Sequence, residues 1–178
     1  MDAFSRRHIL GAASRGLAGL AAGGLVGCER RSPASQLGGF DLPPLPGLRN
    51  ANGLTTKGFG DKDLSGHMSM LVLFASWRPE CRAQHDRLMD LAARVRAPLY
   101  GVLSRDKAAA GVRYLETHGN PFRAVGDDPE GAFARAVGAP GVPTNFVVSP
   151  SLRVARSVVG EISAAAIEGE IIPLLGRA

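Results

Sequence analysis

The 178-residue chain predicts an α/β fold, a central mixed sheet flanked by helices. Two observations carry this. The apolar runs Met70–Ser76 and Leu99–Leu103 are continuous, as in strands buried on both faces, and each leads into residues with helical spacing. Near the C-terminus, Thr144–Val148 and Val154–Val159 are separated only by Ser149–Arg153, a turn containing Pro150, which closes a hairpin. Alternating strands and helices followed by a hairpin and a last helix place parallel and antiparallel strands in one sheet.

Each element has a local reason. Phe40-Asp41-Leu42-Pro43-Pro44-Leu45-Pro46 is held extended by its prolines. After Met70–Ser76, Pro79 sits where a helix opens, because its missing N–H is one of the first-turn donors left without a partner. Cys81, Leu88, Leu91, Ala92 and Val95 then repeat on one face down to about Arg96. Asp106 is placed to cap a helix running to about His118, which Gly119 stops. A short strand is expected at Phe122–Val125. A helix is expected over Pro129–Val137, with Asp128 as its cap. Ser163 caps a last amphipathic helix, with Ile167, Ile171 and Leu174 on one side. The body contains no internal repeat and no low-complexity segment.

Length and composition fit one domain with an extension. The 45% hydrophobic and 21% charged content is that of a folded protein. The net charge of +5 falls to +3 once Met1–Gly27 is set aside. The remaining cations are scattered, so no nucleic-acid partner is expected. Ser5-Arg6-Arg7 precedes a mild, Gly- and Ala-rich apolar stretch from Ile9 to Val26. This resembles a twin-arginine export signal. As a membrane span the stretch would be marginal, with Arg15 and many glycines inside it. Leu25-Val26-Gly27-Cys28 resembles a bacterial lipobox, so residues 1–27 read as the signal and Cys28 as the lipid anchor. The alternative is a chance cysteine beside another cleavage site. Residues 28–39 read as a flexible tether, and 40–178 as the folded domain.

The chemistry concentrates at Ala75-Ser76-Trp77-Arg78-Pro79-Glu80-Cys81, between a buried strand and an amphipathic helix. Some sixty residues on stands Gly141-Val142-Pro143-Thr144, just before a strand. The pair resembles the thioredoxin-like site, where Trp-Cys-x-x-Cys occupies the strand–helix junction and a cis-proline packs against it. Phe40-Asp41-Leu42-Pro43, the Asp63-Leu64-Ser65-Gly66 loop, Gly119-Asn120-Pro121-Phe122 and Val137-Gly138-Ala139-Pro140 narrow the resemblance to the cytochrome c maturation branch. That branch is the DsbE or CcmG family of thiol:disulfide interchange proteins. The resemblance covers about residues 40 to 175. It implies a thioredoxin-like fold and an extended polypeptide partner bearing a thiol or disulfide, such as apocytochrome c or a second thioredoxin-fold protein. It also implies a location on the periplasmic side of the envelope, held to the membrane by the lipid. Neither a cofactor nor a metal is implied.

The departure from that family is Arg78, which stands at the attacking position. A guanidinium has no thiol chemistry and stays charged. Cys81, at the resolving position, is the catalytic candidate that remains. With Cys28 lipidated, no intramolecular disulfide can form, so dithiol activity is expected to be reduced or absent. Burial raises the Cys81 thiol pKa, while the helix N-terminus and Arg78 lower it, and sequence alone leaves that balance open. The position that often holds a buried acid is apolar, near Val72. Trp77, Arg78, Pro79, Glu80, Val142 and Pro143 are the substrate-binding candidates, with Arg78 also suited to a carboxylate. His85 is expected to be a partly exposed surface residue. One other reading is a non-catalytic binding module that keeps the groove. A peroxiredoxin-like peroxidase fits poorly, because Phe74 and Arg78 occupy the Pro and Thr of its Pro-x-x-x-Thr-x-x-Cys pattern.

Overall fold

The computed structural model describes residues 35–50 and 52–177. Cys28 and the Arg6–Arg7 pair lie outside the described residues. The elements run β1 (Asp41–Leu42), β2 (Phe59–Gly60), α1 (Asp61–Leu64), β3 (Ser69–Phe74), α2 (Pro79–Arg94), β4 (Leu99–Ser104), α3 (Ala108–His118), β5 (Ala124–Asp128), α4 (Ala132–Ala136), β6 (Thr144–Val148) and β7 (Val154–Val159). The chain closes with α5 (Ala164–Ala166), a π-helical stretch (Ile167–Ile171) and α6 (Ile172–Leu175).

The main sheet has the order β5-β4-β3-β6-β7. β3 is parallel to β4 and β4 to β5, while β6 runs antiparallel to both β3 and β7. The mixed sheet predicted from the sequence is therefore present. Its central strands are apolar throughout because both faces are covered. Met70, Val72 and Phe74 point into one core with Leu88 and Leu91 of α2, Val112 and Leu115 of α3, and Ile167 and Ile171 of the C-terminal helix. Leu71 and Leu73 point the other way, onto Leu42, Phe59, Phe133 and Val137.

Several boundaries differ from the expectation, each for a physical reason. The strand expected at Phe122–Val125 lies at Ala124–Asp128. Pro121 has no N–H to give, and the Phe122 N–H is taken by Asn120 Oδ1 at 3.0 Å, so neither joins the ladder. Phe122 instead covers Gly101 and stacks on Phe74 with ring centroids 5.2 Å apart. Asp106 does not cap α3, whose N-cap is Lys107. Its carboxylate turns back to the Ser76 N–H. The helix expected from Pro129 starts at Ala132, but Asp128 does receive its first-turn donors, the N–H groups of Phe133 and Ala134, at 3.0 and 3.1 Å. The Asp63–Gly66 loop begins within α1. In the last helix Leu175 is buried and Leu174 is exposed, the reverse of the expected face. The π-helical stretch inserts one residue before Ile172 and rotates everything after it.

The chain between Ser35 and Gly39, expected to be tether, is docked on the domain. Leu37 is buried, its N–H bonds the Leu152 carbonyl at 2.8 Å, and Val154 N–H bonds the Ser35 carbonyl at 3.0 Å. Among the described residues no helix is long and apolar enough to cross a membrane.

Candidate functional site

β3 delivers its C-terminal end, Phe74-Ala75-Ser76, to a corner from which α2 departs. Arg78 is the N-cap residue, in extended conformation, and Pro79 is the first helical residue. The corner is clamped by backbone and side-chain bonds: Arg78 N–H to the Ala75 carbonyl at 3.2 Å, Arg82 Nε to the Ser76 carbonyl at 2.8 Å, and Ser76 N–H to Asp106 Oδ2 at 2.6 Å. On the other side of β3, the register Leu73↔Thr144 carries Pro143 to the same end of the sheet. The Val142–Pro143 peptide is cis, and Pro143 is buried. The predicted arrangement of junction and cis-proline is therefore in place.

Trp77 is 53% exposed, and its Nε1–H donates to the Arg105 carbonyl at 3.2 Å. Arg78 lies over the Trp77 ring, 5.7 Å from its centroid, with its Nε 3.2 Å from Glu80 Oε2. Both side chains of that ion pair are close to half exposed, so it contributes little. Between Trp77, Arg78, Arg105, Ala139 and Val142 lies a pocket of about 190 Å³. Pro79 and Glu80 do not line it. Glu80 is the ion-pair partner of Arg78.

Cys81, one turn inside the helix, is 3% exposed. Its Sγ accepts the Ala75 N–H at 3.5 Å. Burial pushes the thiol from its ordinary 9.0 up to about 11; the Ala75 N–H and Arg78 pull it down, and Glu80 and Asp106 add to the rise. Desolvation therefore decides the balance that sequence left open.

No family model matches the chain. Curated relatives do. The thiol:disulfide interchange protein DsbE homolog of Paracoccus denitrificans is 33% identical over 111 residues, which is 62% of this chain and 61% of that protein. CycY of Rhizobium leguminosarum is 27% identical over 140 residues, 79% of this chain and 73% of its own. DsbE of Xylella fastidiosa is 30% identical over 138 residues, 76% of this chain and 66% of its own. The chain belongs to the DsbE-type thiol:disulfide interchange family. Solved structures share the fold. A secreted thiol-disulfide isomerase of Corynebacterium glutamicum matches with a TM-score of 0.66 at 17% identity, over 79% of this chain and 85% of its own. The exposed lipoprotein thioredoxin of Streptococcus pneumoniae matches with a TM-score of 0.57 at 19% identity, over 76% of this chain and 96% of its own.

Against this DsbE-type framework one expectation is corrected. His85 is buried, not a surface residue. Its Nε2 faces the His118 and Gly119 carbonyls at 3.3 and 3.1 Å, and its ring meets Tyr114 edge-on at 4.9 Å. Two carbonyl acceptors require a proton on Nε2, and burial holds the imidazole pKa below its ordinary value. His85 is a tie between α2 and the end of α3.

Two features escaped the sequence reading. Gln84 and Asn145, both buried, exchange side-chain bonds at 3.3 and 3.4 Å, and Asn145 Nδ2 also reaches the Gly160 carbonyl at 3.1 Å. Gln84 Oε1 further accepts the Ile162 N–H at 3.2 Å. Arg105, with a left-handed φ of 54°, lines the same pocket as Arg78. The available signal for Arg105 was topological: it follows β4, so it stands at the same end of the sheet as the β3 corner.

Proposed function

We propose that this chain is an exported, membrane-tethered DsbE-type protein that holds an extended, thiol- or disulfide-bearing polypeptide without performing the two-cysteine cycle. Apocytochrome c or a second thioredoxin-fold protein is the partner class. One observation carries the proposal: the attacking position is a guanidinium, while the surviving thiol is 3% exposed. A disulfide reductase needs an accessible thiolate to open the substrate bond and a second thiol to resolve the mixed disulfide. Here the first sulfur is absent and the second is protonated and covered. The pocket beside Trp77 and Val142 remains open, which supports retained binding. The envelope location and lipid anchor rest on Arg6–Arg7 and Cys28 in the sequence.

The test is insulin reduction with dithiothreitol as donor. The natural chain should not exceed the uncatalysed rate, and Arg78→Cys, which recreates Trp-Cys-x-x-Cys, should rise well above it. Turnover by the natural chain that disappears in Cys81→Ser would overturn the proposal.

A further inference from the structure

We infer that the pocket beside Trp77 selects a carboxylate side chain on the extended polypeptide. This rests on the polypeptide-binding reading above and adds the chemistry of the bound segment. Besides Glu80, which pairs with Arg78, two nearby acids already accept protein N–H and O–H groups. Asp106 accepts the Ser76 and Lys107 N–H groups at 2.6 and 2.7 Å. Asp128 accepts the Ser104 hydroxyl and the Phe133 and Ala134 N–H groups at 3.0, 3.0 and 3.1 Å. Arg78 approaches Glu80 through Nε at 3.2 Å, and its terminal nitrogens make no hydrogen bond among the described residues. Arg105 has no ion-pair partner among the described residues.

The position of Arg105 is built. Its side chain crosses the bare face of Gly131, where an added Cβ would stand 2.3 Å from Nε and 3.0 Å from Cγ. Its carbonyl is held by the Trp77 indole and its N–H by the Asp128 carbonyl at 3.0 Å. The pocket is therefore lined by two arginines, by Trp77 and by the apolar side chains of Ala134, Ala139 and Val142. An acidic side chain with its methylene stem matches that lining: the stem suits the apolar residues, and the planar carboxylate suits guanidinium groups that can bond it in two places. Where a family member with a cysteine would form a covalent bond to its partner, this chain offers a charge.

The sequence contains a single tryptophan, so Trp77 emission reports the pocket directly. The full chain in mild detergent is titrated with a blocked octapeptide of Ala, Ser and Thr carrying a central Glu, with its Gln twin, and with free glutamate. The Glu peptide should bind at least about tenfold tighter than the Gln twin, the value of one charge-assisted hydrogen bond. Free glutamate should bind more weakly than the Glu peptide. Arg105→Gln should abolish the difference between the two peptides, and Arg78→Gln should reduce it, with far-UV melting confirming that both variants fold. Equal binding of the two peptides, a preference that survives in both variants, or free glutamate matching the peptide would overturn the inference. Binding of neither peptide would overturn the polypeptide-binding reading as well, a result distinct from equal binding.

Discussion

At Cys81 the chain uses sulfur as a small apolar group with one weak acceptor lone pair. The Ala75 N–H at 3.5 Å is its hydrogen-bond donor, and the surrounding core excludes water. Because its pKa is raised from 9.0 to about 11, the thiol is protonated in both folded and unfolded chains below pH 9 and adds no pH dependence there. Between those values the unfolded chain gives up the proton first, so stability falls as pH rises from about 9 to about 11. The same shift predicts iodoacetamide kinetics. Labelling of Cys81, followed on its own peptide by mass spectrometry, should keep accelerating from pH 9 towards about 11, whereas in denaturant it should level off near 9. A plateau below pH 9 in the folded protein would mean an exposed, activated thiol.

Helix α2 is fixed to its neighbours by polar groups as well as by packing. Gln84 ties it to β6 and to Ile162, and His85 ties it to the end of α3. Asn145 stands at the centre of the first tie, bonding Gln84 and the β7 end at once. Asn145→Ala should lower the unfolding free energy by about 2–4 kcal/mol, since it leaves buried partners unpaired. Urea titration monitored by circular dichroism measures this, and a loss under about 0.5 kcal/mol would show that the tie is dispensable. Periodicity made α2 legible in the sequence, because Leu88 and Leu91 do face the core. It failed at Leu174, since a π-helical residue shifts register without a compositional mark. His85 looked like a surface residue because its partners are backbone carbonyls more than thirty positions away, which no residue type announces.

The molecule as a whole has two ends that differ in purpose. The corner motif and Pro143 were legible because each is a short pattern at an element boundary. Arg105 was not, because its role depends on β4 lying beside β3 and on Gly131 being bare beneath it. The opposite end carries Ser35, joined through Val154 to the start of β7, whose partner Val148 faces Ser69 at the start of β3. Cys28→Ser should move the exported chain from the membrane pellet to the soluble envelope fraction, checked by immunoblot after carbonate extraction. Unchanged pelleting would place the anchor elsewhere.

If Cys28 carries the lipid proposed above, the length of chain before Ser35 sets how high above the membrane the pocket can work. From Cys28 to Ser35 a fully stretched chain spans at most about 25 Å, and a six-residue strand adds about 20 Å. Adding the strand spacings from Ser35 across β7 and β6 to β3 and the three residues from Phe74 to Trp77, the proposed anchor would keep Trp77 within about 60 Å of the bilayer surface. With Cys28 as the proposed anchor, a partner segment would have to come within that ceiling to be caught, which places the proposed hand-over close to the membrane.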